Sequence, residues 1–130
     1  MAGAANSIFL DANILLEIIH ERECFDDAVA YVRAHAGQLC ISALTVHLVM
    51  YFGSKVAEAK VLRQFLSDYR VLPVSARDID WTFDHIRGND FEDALQVACA
   101  VNGGCTRFVT LDAALVRRYK GTQGITVTSL

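Results

Sequence analysis

The chain has one proline in 130 residues and no low-complexity segment, so the compositions that keep a chain disordered do not apply. It has no apolar run of the ~18 residues that a membrane span needs. Its first seven residues, MAGAANS, lack the basic flank and apolar core of a secretion signal. The expectation is a cytoplasmic chain with no membrane contact. Positive charge is scarce: 12 Lys and Arg against 15 Asp and Glu leave a net charge of −3. That excludes a generally basic nucleic-acid coat and leaves room for a local basic patch. Cys24, Cys40, Cys99 and Cys105 form no C-x-x-C pair, and no histidine stands at zinc-finger spacing. They read as reduced, mostly buried thiols. Phosphate-loop, dinucleotide-loop, nucleophile-elbow and H-E-x-x-H patterns are all absent, and Gly103-Gly104 reads as a helix stop.

What is present is apolar: 53% of the residues are hydrophobic, and a chain of this length forms one domain, residues 1–130, with a substantial core. Short β-type runs alternate with helical ones. Strands are expected at Ile8–Leu10, Leu39–Ser42, Tyr69–Val74, Arg107–Thr110 and Ile125–Thr128. Pro73 puts the third at an edge or exit position. Helices are expected from Asn13 to His20, Asp26 to His35, an apolar one opened by Thr45, and an amphipathic one from Lys55 to Asp68. Three more follow, from Ala76 to Ile86 behind a Ser75/Asp78 capping pair, from Phe91 to Val101, and from Ala113 to Tyr119. Helical crossovers between strands imply an α/β fold, a three-layer α/β/α sandwich with a mostly parallel sheet of four to five strands. Ligands in such sheets bind beyond the carboxyl ends of the strands, where the strand order reverses.

Acids occupy those ends. Asp11 follows strand IFL and Asp112 follows strand FVTL, so a parallel sheet puts both at one edge. Asp93 falls in the first turn of the helix that leads into the strand before Asp112. Each has a plain structural explanation: an aspartate after a strand often caps the next helix, and an acid in a first turn complements the helix dipole. Asp11 is hardest to explain that way, because a buried strand end is a costly place for a charge. Together the three carboxylates point to a hard divalent cation, Mg²⁺ or Mn²⁺, and to phosphodiester hydrolysis.

FLDANILLE, ISALTVHLVMYF, DFEDALQVACAV and FVTLD, in this order and spacing, resemble the PIN domain family, in particular the VapC-type toxins of toxin–antitoxin modules. The resemblance covers nearly the whole chain. It implies a Mg²⁺- or Mn²⁺-dependent endoribonuclease with RNA as substrate, and a cognate antitoxin and a second copy of the chain as protein partners. Residue by residue, Asp11, Asp93 and Asp112 match the catalytic metal ligands, and Asn13 and Thr110 match polar positions that support them. One acid of the family pattern S-x-x-T-x-x-E is missing. Ser42 and Thr45 are in place, but Leu48 stands where the glutamate belongs. With Thr45 as N-cap, a capping box would also go uncompleted. The alternative is therefore a weak or inactive PIN domain that binds RNA or a protein.

Further residues are candidates for the same site. His47 and Asp90 lie beside it in sequence, Asp90 also being the expected N-cap of the helix from Phe91. Glu17 is read as a solvated face, and Glu92 as turned ~100° away from Asp93. Arg117 and Arg118, with Lys120, Arg87 and Arg107 behind them, are candidates for RNA phosphates or for a solvated helix end. The helix Val46–Phe52 is apolar nearly all round, which makes it core and, in part, partner surface.

Overall fold

The computed structural model describes residues 6–130. Five strands and seven helices alternate along them: β1 (Ile8–Leu10), α1 (Ala12–Ile19), α2 (Phe25–Ala34), β2 (Leu39–Ser42), α3 (Ala43–Gly53), α4 (Ala59–Leu66), β3 (Arg70–Leu72), α5 (Ala76–His85), α6 (Phe91–Asn102), β4 (Arg107–Thr110), α7 (Ala113–Tyr119) and β5 (Thr126–Ser129). All strand pairs are parallel, and the sheet order is β3-β2-β1-β4-β5. The chain thus lays β2 and β3 outward from β1, then crosses back and starts again with β4 on the other side of β1. The order reverses between β1 and β4.

Alternation along the strands divides the core in two. Ile8, Leu10, Ile41 and Val109 face α1 to α4, against Ile14, Leu15, Val49, Leu62 and Leu66. Phe9, Cys40, Phe108 and Val127 face the other layer, against Val97, Ala100, Leu115 and Tyr119. Both faces of the sheet are covered, as right-handed crossovers in two directions require. Phe9 and Phe108 are register partners, fully buried and stacked at 5.3 Å. Burying each contributes roughly 1.5–3 kcal/mol. Cys40, Cys99 and Cys105 are buried free thiols, and Cys24 is half-buried. No helix among the described residues is long and apolar enough to cross a membrane.

Several local expectations need correction. Ser42, not Thr45, caps α3: its Oγ accepts a hydrogen bond from Thr45 N at 3.1 Å. Leu48 therefore lies in the second turn of α3, and no capping box is lost there. The amphipathic run from Lys55 is shorter than its periodicity implies. Glu58 has an extended backbone (φ −71, ψ 153), so α4 begins at Ala59. α4 packs closely on the last residue of α3, Gly53, where a Cβ would stand 3.0 Å from Leu62 Cδ2. The third strand contracts to Arg70–Leu72 and lies at the sheet edge, with Pro73 just outside it. The fifth runs one residue later than expected, Thr126–Ser129. The Ser75/Asp78 capping box is present. Glu17 is not solvated. It is buried, and its Oε2 accepts from Cys24 N at 2.6 Å, tying down the α1–α2 loop.

Candidate functional site

Asp11 and Asp112 flank the point where the strand order reverses. Asp11 N donates to Val109 O at 2.9 Å, which carries the β1–β4 pairing one residue past the strand. Thr110, at the end of β4, sits at the centre of a polar net and is fully buried. Its hydroxyl donates to Asp11 Oδ2 at 2.8 Å and accepts from Asn13 Nδ2 and from Asp112 N, both at 3.0 Å. One donor and two acceptors use the full capacity of a hydroxyl. Asn13 Oδ1 in turn accepts from Leu111 N at 3.2 Å. Asn13 and Thr110 thus tie the two acidic strand ends to each other through hydrogen bonds.

Asp112 has two jobs. Its Oδ1 caps α7, accepting from Ala114 N at 2.9 Å and Leu115 N at 3.2 Å. The capping explanation holds, and it engages Oδ1 alone.

Asp93 arrives from α6, and a second buried net sets where α6 stands. Ser42 Oγ donates to Gln96 Oε1 at 2.6 Å, and Gln96 Nε2 donates to Thr45 Oγ1 at 2.9 Å. Gln96, one turn after Asp93, so fastens α6 to the start of α3. The sequence offers no sign of this role beyond a polar residue on an apolar helix face.

Asp11, Asp93, Asp112, Asn13, Leu48 and Phe52 line one cleft of about 330 Å³. Glu92 lines it too, contrary to the 100° expectation. Glu92 is exposed, as expected, and lines the cleft from its rim. Leu48 faces it with an apolar side chain in place of an acid. His47 is exposed and lies 6.1 Å from the Tyr51 ring, away from the acids.

The electrostatics are those of acids crowded in a poorly hydrated place. Burial raises the Asp11 carboxyl from 3.8 to about 6, against the Thr110 hydrogen bond and with help from Asp93 and Glu92. Asp93 is also raised, first by burial and then by Asp90 and Asp112, with Arg118 opposing. Arg118 is the counter-ion. Its Nη2 lies 2.6 Å from Asp90 Oδ2 and 3.0 Å from Asp93 Oδ2. Asp90 holds the N-cap position of α6, but its side chain makes no capping bond and goes to Arg118 instead. Arg118, a candidate for substrate phosphate, is thus occupied by acids, while Arg117 remains exposed. Among the described residues, no three His, Cys, Asp or Glu side chains draw together closely enough to hold a metal ion directly.

The sequence profile of the PIN domain family matches residues 8–121. The chain is a PIN domain. Its fold also matches solved structures. A toxin–antitoxin complex from Klebsiella pneumoniae aligns with a TM-score of 0.74 at 21% identity, over 92% of this PIN domain and 96% of that chain. VapBC2 from Rickettsia felis, bound to a fragment of its promoter DNA, aligns at 0.68 and 18% identity over 94% and 97%. DNA-bound VapBC from Salmonella typhimurium aligns at 0.68 and 19% over 95% and 97%. No curated protein matches the chain. The PIN domain thus resembles VapC in architecture, as its motifs implied.

Proposed function

We propose that this PIN domain is a divalent-metal-dependent endoribonuclease and the toxin of a toxin–antitoxin pair. The observation that carries the reading is the convergence of Asp11, Asp93 and Asp112 on one cleft at the sheet's switch point. The donor set is all carboxylate oxygen, which suits Mg²⁺ or Mn²⁺. The charge also fits, since burial and neighbouring acids make Asp11 and Asp93 reluctant anions that a cation would relieve. Asp11, Asp93 and Asp112 would hold the ion by drawing closer than they stand here or through bridging water, and Arg118 would have to give up Asp93. Such an ion lowers the pKa of water and offsets charge on a phosphate. Thr110 and Asn13 keep Asp11 and Asp112 in register. Gln96 sets the depth of Asp93, and Leu48 keeps one wall of the cleft apolar.

RNA is the substrate and the fold neighbours are toxin–antitoxin complexes, so an antitoxin is the protein partner. The α3 end supplies surface for it, or for a second copy of the chain: Tyr51 and Phe52 are exposed large hydrophobics there. The test is cleavage of an RNA substrate with Mg²⁺ or Mn²⁺ added and then chelated. Cleavage that needs the metal and disappears in folded Asp11→Asn supports the reading. Metal-independent cleavage, or an active folded Asp11→Asn, overturns it.

Two observations favour a second reading, a binding module with weak or no catalysis. Leu48 lines the cleft where the family carries glutamate, and Arg118 neutralises Asp93 and Asp90. That reading expects RNA or antitoxin binding without cleavage at any metal concentration.

A further inference from the structure

A second cleft, of about 340 Å³, shares no lining residue with the acidic one. It is lined by Trp81 and His85 of α5, by Arg87, by Tyr119, and by Thr122 and Gln123 of the loop after α7. Trp81 and His85 are one turn apart and stack at 4.0 Å with an interplanar angle of 11°. His85 Nδ1 lies 2.8 Å from Trp81 O, which fixes the imidazole flat over the indole. The indole packs against the core and His85 is exposed, so the pair presents an anchored aromatic surface to solvent. Tyr119 forms the floor: it is buried, and its hydroxyl accepts from Arg87 N at 3.2 Å. Among the described residues the Arg87 guanidinium makes no ion pair.

We propose that this cleft is a subsite for an unpaired nucleotide of the RNA strand whose backbone crosses the acidic cleft. A nucleobase needs a flat π-surface, hydrogen-bonding groups at its edge and a cation near its phosphate. The His85–Trp81 pair supplies the first, Thr122 and Gln123 the second, and Arg87 the third. Position ties the two clefts together. Arg118 and Tyr119 are consecutive on α7. Arg118 faces Asp90 and Asp93, and Tyr119 faces the new cleft. Arg87 stands three residues before Asp90 on the loop joining α5 to α6. Consecutive residues of α7 and the α5–α6 loop thus connect the two clefts. The acidic cleft repels phosphates, so the flanking backbone finds its counter-charge at cations outside that cleft, Arg87 with exposed Arg117 and Lys120.

The inference rests on RNA being the substrate, and the single tryptophan makes it testable apart from catalysis. Trp81 is the only one in the chain, so its fluorescence reports on this cleft alone. Unpaired octamers of uridylate and adenylate are titrated into the full chain with divalent metal chelated. Saturable quenching that weakens with salt is expected. Labelled octamers followed by anisotropy should bind roughly tenfold more weakly to Arg87→Gln and to His85→Ala, the loss of one stack or cation. Trp81→Phe keeps an aromatic ring if larger changes unfold the protein, and it should retain most of the affinity. In the metal-loaded enzyme, His85→Ala should raise KM and leave kcat within about twofold, as lost uniform binding does. Quenching without any cleavage would sink the ribonuclease reading and keep the subsite. Cleavage with no quenching, and with KM unchanged in both variants, would sink the subsite and keep the ribonuclease. Quenching by a mononucleotide as tightly as by the octamer, or by an antitoxin but no octamer, would also overturn the proposal.

Discussion

Arg118 Nη2 stands 3.0 Å from Asp93 Oδ2, so a carboxylate proposed as a metal ligand is already paired by the chain itself. The same nitrogen bridges to Asp90 at 2.6 Å, and both partners of the Asp93 pair are about a quarter exposed. A divalent ion and this guanidinium compete for the same charge. Arg118→Gln should tighten Mn²⁺ binding roughly tenfold, which is ~1.4 kcal/mol. Titration calorimetry of both proteins checks it. Equal or weaker binding by the variant would show that Arg118 supports the ion rather than opposing it.

The buried Asp11 makes stability depend on pH with a definite sign. Its carboxyl titrates at about 6 in the folded chain against an ordinary 3.8. Between those values the folded state keeps a proton that the unfolded state releases. Stability from this group is therefore full below 3.8 and is lost as pH rises through about 6. The difference is on the order of 3 kcal/mol. Asp11→Asn should unfold at higher urea than the natural chain at pH 7.5, and the two should converge near pH 4. Cleavage should be lost in the variant. A protein that gains nothing at pH 7.5 would show that Asp11 is not the strained charge described.

Thr110→Val keeps the volume and removes the hydroxyl at the centre of the net. Asp11 Oδ2 loses a donor, while Asn13 Nδ2 and Asp112 N lose their acceptor. Unsatisfied buried groups cost ~1–3 kcal/mol, so the midpoint of denaturation should fall by that much. Cleavage should fall with it even where the variant is fully folded, because Asp11 and Asp112 lose their common anchor.

Leu48→Glu restores the acid that the family pattern carries at a cleft-lining position. The added carboxylate should strengthen Mg²⁺ or Mn²⁺ binding and raise cleavage. In the absence of metal it should lower the melting temperature, since it adds a fifth acid to a cleft already lined by Asp11, Glu92, Asp93 and Asp112. A metal-dependent rise in melting temperature, larger than in the natural chain, is the expected readout.

Gln96→Leu separates packing from position. The leucine fills the space but leaves Ser42 and Thr45 without the amide that ties α6 to α3. Metal binding should weaken while secondary structure, followed by circular dichroism, stays the same. Unchanged metal affinity would mean that packing alone holds Asp93 in place.

Much of this was legible in the residues. Apolar runs of three or four residues between helical repeats marked the strands, and their spacing marked the crossovers. Asp11, Asp93 and Asp112 were legible because acids at strand ends and first turns break an otherwise apolar pattern. Glu17, read as solvated, and the direction of Glu92 were misjudged for a shared reason. Helical phase says which way a side chain starts, not what loop or neighbouring helix it meets. Glu17 meets the Cys24 amide, and Glu92 stays exposed while also lining the acidic cleft.

The sequence by itself determined the alternation of strands and helices, the apolar strands that must be covered on both faces, and the identity of the acids. Those follow from local periodicity and from the cost of burying charge. Only the tertiary structure decided which acids meet. The hydrogen bond from Thr110 to Asp11 spans 99 residues, and the Arg118–Asp93 bond spans 25. Such pairings are set by the return of the chain from β3 to β4 beside β1, and no local pattern of residues encodes a strand order.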